Sequence, residues 1–154
     1  MSGENASADI TGLIGQYAHG NEPSHHVTHL YNYVGQPQKA QEKVDEVLQT
    51  FYTPTPEGII GNEDCGAMSA WYVLNALGFY QVCPGKPTYS LGRPLIDEAI
   101  IHLENGQTFK IIVENNSLDN KHVEEVRLNE KVLEDPFFEH SEIQSGGVLK
   151  FRME

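Results

Sequence analysis

The sequence predicts an α+β protein that has helices in its first half and antiparallel strands in its second half. Between residues 21 and 80, apolar residues recur at the spacing of amphipathic helices. From about residue 90 the spacing becomes strand-like, and two β-rich runs at residues 99–103 and 108–113 flank Asn105-Gly106, a strong hairpin signal. A chain of 154 residues is long enough to bury a core of its own.

Three helices are expected in the first half. The first follows Pro23, and its apolar stripe consists of Val27, Leu30, Tyr31 and Val34. The second begins near Pro37, and its apolar stripe consists of Ala40, Val44, Val47, Leu48 and Phe51. The third covers residues 66–77 and ends at Gly78. It has almost no polar face, so we expect it to be buried on nearly every side, by neighbours beyond these three helices.

These patterns divide the chain into three parts. Residues 1–20 are expected to form an extended lead-in, residues 21–80 a helical segment, and residues 81–154 a small antiparallel β unit. Further strands of that unit are predicted at residues 123–128 and 148–153.

The composition narrows the range of partners. The formal net charge of −12 disfavours binding to nucleic acid and to anionic membrane surfaces. No apolar run approaches the roughly 18 residues of a membrane-spanning helix. Neutral sugars and cations remain compatible with an acidic surface. The first basic residue is Lys39, so the start of the chain lacks a signal peptide, and we expect it to begin downstream of its true start.

Two short acidic turns precede the first and third helices. The segments GNE at residues 20–22 and GNED at residues 61–64 place carboxylates before helix N-termini, whose dipole favours the ionised form. If the helices run up, down and up, both turns lie at one end, and we expect Asn21, Glu22 and Asp64 to be close together. Such a rim could bind a hard cation through oxygen or do acid–base work on a glycosidic bond. Helix capping is the simpler interpretation of each turn taken alone.

His25 and His29 form a rival constellation, because residues four apart on a helix share one face and can hold Zn²⁺. No third ligand is evident in the sequence. Histidines that are hydrogen-bonded or that contact a sugar are the more ordinary interpretation. Trp71 lies within the apolar third helix, where core packing is favoured over a role as a sugar-stacking platform.

Two longer motifs contain these residues, and they resemble glycoside hydrolase family 92. They are YAHGNEPSHH at residues 17–26 and GNEDCGAMSAWY at residues 61–72, which continues into ALGFY at residues 76–80. Pro94-Leu95 and GGVLKF at residues 146–151 are similar to the C-terminal strands of the family. The resemblance extends over essentially the whole chain, and two long motifs in this order are very specific.

The resemblance implies an exo-acting, inverting α-mannosidase, mostly α-1,2-specific, that requires Ca²⁺ and trims mannose-containing glycans. It also implies that the helices are hairpins from the end of an (α/α) toroid. Asp64 would then be the general base that activates water, and Asn21 and Glu22 would lie at the metal. The substrate-binding residues that the resemblance implies are Asn62, Glu63 and His25. Asn62 stands where the family often has Asp, so an assisting carboxylate is absent there.

One part of the family pattern is absent from the sequence. The family's general acid is a glutamate in an upstream motif with Glu-Gly and Trp-Gln-Tyr, and nothing like it occurs here. We therefore expect a C-terminal part of the catalytic region, which is inactive without the missing N-terminal part of the parent enzyme. The parent enzyme would be periplasmic or secreted, and the isolated chain is expected to associate with itself. The remaining alternatives are a stand-alone, non-catalytic sugar- or Ca²⁺-binding module and a small zinc hydrolase using His25 and His29.

Overall fold

The computed structural model describes residues 10–154 and confirms the α+β class. A small antiparallel hairpin comes first, with β1 at Leu13–Ile14 and β2 at Tyr17–Ala18. Part of the segment predicted as an extended lead-in is therefore folded into a hairpin. Residues 1–9 of that segment lie outside the described residues.

The helical segment contains two 3₁₀ helices and two α-helices. Their bounds are Glu22–Ser24 and Val27–Val34 for the 3₁₀ helices, Pro37–Phe51 for α1 and Ala67–Ala76 for α2. The helix α1 matches its prediction, since it begins at a proline and buries most of the expected stripe. The buried apolar residues of α1 are Ala40, Val44, Val47 and Leu48.

The first predicted helix is a 3₁₀ helix, and it buries a different face from the one expected. The predicted apolar residues that are exposed are Val27, Leu30 and Val34, by 40%, 42% and 67%. The buried face is polar, with Thr28, His29 and Asn32. His29 and Asn32 both reach the hydroxyl of Ser90, at 3.2 and 2.7 Å, and hydrogen bonds of this kind make polar burial acceptable.

The helix α2 is buried on one side rather than on nearly every side. Met68 and Trp71 are buried, whereas Ser69 and Ala70 are exposed and Val73 is 53% exposed. This one-sided burial agrees with the expectation that neighbours beyond these helices are needed, because the elements within residues 10–154 cover one side of this helix. The exposed apolar side chains leave room for a further neighbour.

Gly78 ends α2 for a steric reason as well as a conformational one. Its φ of 94° lies in the left-handed region that favours glycine. A Cβ at this position would lie 2.8 Å from the Cζ atom of Phe151, which is fully buried in the sheet. The close approach of the helix end to the β unit therefore requires glycine here.

The second half of the chain forms two sheets. The larger has the order β5-β6-β10-β7-β8, with bounds Glu98–His102, Thr108–Glu114, Gly147–Met153, Val123–Leu128 and Lys131–Val132. The smaller has the order β3-β4-β9, with bounds Phe79–Tyr80, Thr88–Leu91 and Phe137–Glu139. A short helix, α3 at His140–Gln144, precedes β10. The predicted hairpin at residues 105–106 is confirmed, since Ala99 of β5 pairs with Ile111 of β6.

One strand pair departs from the predicted antiparallel pattern. The strand β10 runs parallel to β6 and antiparallel to β7. Parallel neighbours need a crossover connection, and the chain between β6 and β10 supplies it through β7, β8, β9 and α3. The predicted bounds of β7 and β10 hold, but a strand pattern carries no information about which neighbour the strand joins.

The β unit is joined to the helical segment by an ion pair of Arg93 with Asp45. The core of the β unit contains the fully buried side chains of Phe109, Ile111, Leu149 and Phe151. Arg93, which is buried, lies 3.4 Å from the carboxylate of Asp45 on α1 and donates a hydrogen bond of 2.8 Å to the carbonyl of Ser117. Within residues 10–154, every helix is too short or too polar to cross a lipid bilayer.

Candidate functional site

The backbones of the two acidic turns lie close together at Gly20 and Gly61. A Cβ built on Gly61 would lie 3.3 Å from the Cα atom of Gly20, so the two turns approach each other closely through their backbones, and it would lie 2.7 Å from the hydroxyl oxygen of Thr11, where it would clash. Gly61 also has a φ of 74°, in the left-handed region. The segments that begin with Asn21 and Asn62 therefore leave from adjacent points in the fold.

Glu22 and Asp64 act on the same imidazole, that of His25. Burial lowers the pKa of His25, while its backbone hydrogen bond to His19 and the negative charges of Glu22 and Asp64 partly offset this effect. Both carboxylates thus lie within electrostatic reach of one ring. This arrangement agrees with the predicted proximity of Glu22 and Asp64, and the place of Asn21 beside them stays a prediction.

Asp64 lies in a strained turn immediately before α2. Asp64, Cys65 and Gly66 have φ values of 49°, 57° and 93°, three left-handed residues in succession. For a non-glycine residue this conformation costs on the order of 1–2 kcal/mol, and it persists where the surrounding structure imposes it. The N–H of Ala67 donates to the carbonyl of Asp64 at 3.2 Å, which ties the turn to the start of the helix. Asp64 is therefore presented as an exposed residue on a constrained backbone.

The other predicted site residues surround this turn. Glu22 and Asn62 are exposed, and Asn21 is half-buried. Glu63 has a structural partner, because its carboxylate accepts a hydrogen bond of 3.0 Å from the N–H of Ser69 in the first turn of α2. Glu63 thus stabilises the start of the helix through one oxygen, and its contact with a substrate stays a prediction.

A fully buried histidine, His19, lies behind the two turns. Its Nε2 atom lies 2.7 Å from the hydroxyl of Tyr52, and its Nδ1 atom lies 2.7 Å from the hydroxyl of Tyr17. The Tyr52 hydroxyl already donates to the carbonyl of Met68 at 3.1 Å, so it accepts from His19. His19 is therefore the Nε2–H tautomer, and Tyr17 donates to its Nδ1 atom.

Aromatic rings enclose His19 and keep it neutral. The indole of Trp71 packs edge-on against the imidazole at 4.4 Å between centroids, and Phe51 stacks on it at 5.8 Å. Burial, followed by the effect of His25, lowers the pKa of His19 to about 3. Burial also raises the pKa of both Tyr17 and Tyr52 above the ordinary tyrosine value. The whole group is uncharged at neutral pH.

The structure contradicts the zinc alternative. His29 is fully buried, its Nε2 atom donates to the amide oxygen of Asn75 at 2.8 Å, and its Nδ1 atom bonds to Ser90. His25 donates through Nε2 to the carbonyl of His19 at 3.1 Å. Both ring nitrogens of His29 are thus engaged, which removes it as a ligand. Among residues 10–154, no group of three His, Cys, Asp or Glu side chains is arranged to hold a metal ion.

Sequence reasoning missed the residues beneath the turns. His19 stood within the motif of residues 17–26, but nothing in the spacing showed that its ring would bond to two tyrosines from separate segments. The core position predicted for Trp71 is confirmed, and its indole N–H donates to the carbonyl of His25 at 3.0 Å. A buried histidine flanked by tyrosines was the signal that could have pointed to this group.

Comparison with known proteins assigns the family. A sequence model described as the glycosyl hydrolase family 92 catalytic domain matches residues 1–154. The chain therefore belongs to glycosyl hydrolase family 92.

Solved structures of this family share the fold. A GH92 α-mannosidase from Bacteroides thetaiotaomicron, in complex with mannoimidazole, is 40% identical with a TM-score of 0.91, over 95% of this chain and 19% of that chain. An inverting GH92 mannosidase from Bacteroides thetaiotaomicron VPI-5482 is 40% identical with a TM-score of 0.84, over 91% of this chain and 19% of that chain.

A more distant relative is described as an uncharacterized secreted glycosidase of the fungus Arthroderma benhamiae. It is 28% identical over 137 residues, which are 87% of this chain and 18% of that protein. The chain thus spans about a fifth of the length of the proteins that it matches.

The buried histidines predict a marked sensitivity to acid. Burial lowers the pKa of His29 to about 4 and that of His19 to about 3, against an ordinary value of 6.5 that the unfolded chain regains. Below pH 6.5 the unfolded state binds protons that the folded state does not, so the free energy of unfolding falls as the pH falls. Between pH 7 and pH 5 we expect a loss of about 2 kcal/mol from His29 alone, measured by urea unfolding.

Two variants separate this effect from general acid denaturation. His29→Gln should lower the free energy of unfolding at pH 7 but make its decline towards pH 5 shallower, because the titrating group is gone. His102→Gln, at an exposed histidine, should keep the wild-type decline. A free energy of unfolding that stays level from pH 7 to pH 5 in the wild type would show that these histidines are not held neutral.

Proposed function

We propose that this chain supplies the water-activating side of the active site of an inverting exo-α-mannosidase acting on mannose-containing glycans. Membership of family 92 and similarity to proteins named as an α-mannosidase and as an inverting mannosidase support the activity. The observation that carries the assignment to this site is the close approach of the two acidic turns at Gly20 and Gly61, which leaves Glu22 and Asp64 within electrostatic reach of His25. Preference for α-1,2 linkages is part of the proposal and follows from the family resemblance of the two motifs.

Asp64 is the proposed general base. Inversion requires one carboxylate that takes a proton from the attacking water and another group, across the sugar ring, that protonates the leaving oxygen. Asp64 is exposed, whereas its backbone is fixed by a left-handed turn and by the start of α2. A fixed backbone limits the positions that the carboxylate can occupy, and such positioning contributes to the rate.

The proposed sugar contacts are the exposed residues Asn62 and Glu63 and the buried residue His25. Asn62 offers an amide that both donates and accepts hydrogen bonds, as sugar hydroxyls require. His25 uses Nε2 for the carbonyl of His19, so a substrate would meet its Nδ1 side. Glu63 keeps one oxygen on Ser69 and would approach the sugar with the other.

The proposed Ca²⁺ site agrees with the donor chemistry of the first turn. Asn21 and Glu22 offer amide and carboxylate oxygens, which are the ligand types that Ca²⁺ prefers. Ca²⁺ takes roughly six to eight oxygen ligands, and within residues 10–154 the acidic and histidine side chains form no complete cluster for it. These two residues would therefore hold one side of the ion. When bound, the ion would supply positive charge beside the sugar hydroxyls.

The opposite side of the site is proposed to come from the rest of a longer enzyme. Two observations support this proposal. The chain spans about a fifth of the length of the proteins that it matches, and the apolar side chains of Val34 and Val73 are exposed. A general acid contributes typically 10²–10⁴-fold to the rate, so the 154-residue chain alone is not expected to turn over.

The exposed apolar side chains of Val34 and Val73 would promote self-association of the isolated chain. A secreted or periplasmic location of the parent enzyme is proposed by analogy with the secreted fungal relative.

Asp64→Asn in the full-length enzyme should remove most turnover and leave KM nearly unchanged. A general base acts on the chemical step, so the loss should be in kcat, by roughly 10²-fold or more. Steady-state kinetics on an aryl α-mannoside measure both constants. Asp119→Asn, at an exposed loop carboxylate, is the matched control and should retain wild-type kcat. Near-normal kcat in Asp64→Asn would remove this residue from the role.

Calorimetric titration of the full-length enzyme should show binding of Ca²⁺ that depends on Glu22. Glu22→Gln replaces a charged oxygen ligand with a neutral one, and we expect Ca²⁺ affinity to fall by roughly tenfold or more, which is at least about 1.4 kcal/mol. Glu57→Gln, at an exposed carboxylate in the loop after α1, should leave the affinity unchanged. Tight Zn²⁺ binding that is lost in His25→Ala would contradict an oxygen-ligated site.

A further inference from the structure

His19 has no part in the proposed reaction, yet it is a fully buried residue that directly precedes the first acidic turn and is linked through Tyr52 to α2, the helix that follows the second. Its backbone precedes the Gly20-Asn21-Glu22 turn, and its N–H donates to the carbonyl of Gly12 at 2.9 Å. Its ring nitrogens bond to Tyr17, from the β1–β2 hairpin, and to Tyr52, from the end of α1. His19 is thus hydrogen-bonded to Gly12 and Tyr17 at the β1–β2 hairpin and to Tyr52 after α1.

Two paths of hydrogen bonds run from His19 to α2, the helix that the Asp64 turn begins. In the first, His19 donates to Tyr52, which donates to the carbonyl of Met68 in the first turn of α2. In the second, His25 donates to the carbonyl of His19, and Trp71 of α2 donates to the carbonyl of His25. The paths begin at one residue and end one helical turn apart.

We propose that His19 is a positioning residue for the mannosidase reaction, which fixes the Glu22 turn relative to the Asp64 turn by joining Tyr17 to Tyr52 through its ring. It acts through the two turns and lies behind them. The inference rests on the proposed function, because that function defines what the two acidic turns do. The coupling between the turns is a separate physical claim and has its own measurement.

The ring of His19 suits this task because its hydrogen bonds have one consistent direction. Tyr17 donates to Nδ1, Nε2–H donates to Tyr52, and Tyr52 donates onward to Met68, so no member of the chain is left without a partner. An apolar side chain in its place would remove the acceptor of the Tyr17 hydroxyl, which costs about 1–3 kcal/mol for a buried group, and would leave Tyr52 with only its bond to Met68. Trp71 and Phe51 pack against the ring and hold its orientation.

Tyr52→Phe and Tyr17→Phe test the proposal without removing the imidazole. Each variant deletes one hydroxyl and keeps the packing of the aromatic ring, so folding is preserved, whereas His19→Ala would also remove the packing against Trp71 and Phe51. Tyr89→Phe is the matched control, because Tyr89 also bonds to a histidine, His140, at 3.0 Å, but in the β unit away from the turns. All variants are made in the full-length enzyme.

Two readouts are needed. Hydrogen exchange followed by mass spectrometry reports opening of the peptide around residues 61–69, with residues 108–114 of β6 as the internal reference. Tyr52→Phe removes both the hydrogen bond from His19 and the hydrogen bond to Met68. We expect exchange in the turn to accelerate by roughly fivefold or more, since one lost hydrogen bond alone produces a population change of about that size. Exchange in β6 should not change.

Kinetics should show kcat lowered by roughly tenfold or more with KM almost unaltered, because misplaced reacting groups slow the chemical step.

Tyr17→Phe should change both readouts in the same direction, and Tyr89→Phe should change neither. Faster exchange in the turn with wild-type kcat would overturn the positioning role, since His19 would then be structural only. Unchanged exchange in the turn, or equal acceleration in β6, would overturn the coupling. Absence of mannosidase activity in the wild-type enzyme would refute the proposed function instead, and the exchange measurement would still decide whether His19 couples the turns.

Discussion

The contact between the backbones of Gly20 and Gly61 is the constraint on which the site depends. A Cβ on Gly61 would lie 3.3 Å from the Cα atom of Gly20 and 2.7 Å from the hydroxyl oxygen of Thr11, so the close approach of the two acidic turns requires glycine at residue 61. The hydrogen bonds around His19 and the edge contact with Trp71 support this approach from behind. Carboxylates can therefore be exposed to solvent and still keep fixed relative positions.

The β unit contributes to the site at a distance. Ser90 of β4 bonds to both His29 and Asn32, so the 3₁₀ helix that follows the first turn is anchored to the smaller sheet. Asn75 links the same histidine to α2. The two helices that follow the acidic turns are thus joined to each other and to β4 by one cluster of buried polar side chains.

The sequence predicted those features that depend on local patterns. The stripe of α1, the hairpin at Asn105-Gly106 and the two acidic turns follow from spacing and turn chemistry alone. The polar burial of His29 and the parallel pairing of β10 with β6 depend on partners that lie far away in the chain. The exposure of Val73 has a different origin, since the pattern of α2 is that of a helix with neighbours on all sides. The roles of Asp64 and Glu22 came from resemblance to a family, and the structure adds their convergence on His25.

A crystal structure of the full-length enzyme with Ca²⁺ and mannoimidazole would test the central claim that both turns serve one sugar site. The account predicts that one bound ligand contacts the Glu22 turn, directly or through the ion, and that the Asp64 carboxylate lies within hydrogen-bonding distance of a water beside the ring. A ligand bound against one turn, with the other turn more than a sugar's width away, would contradict it.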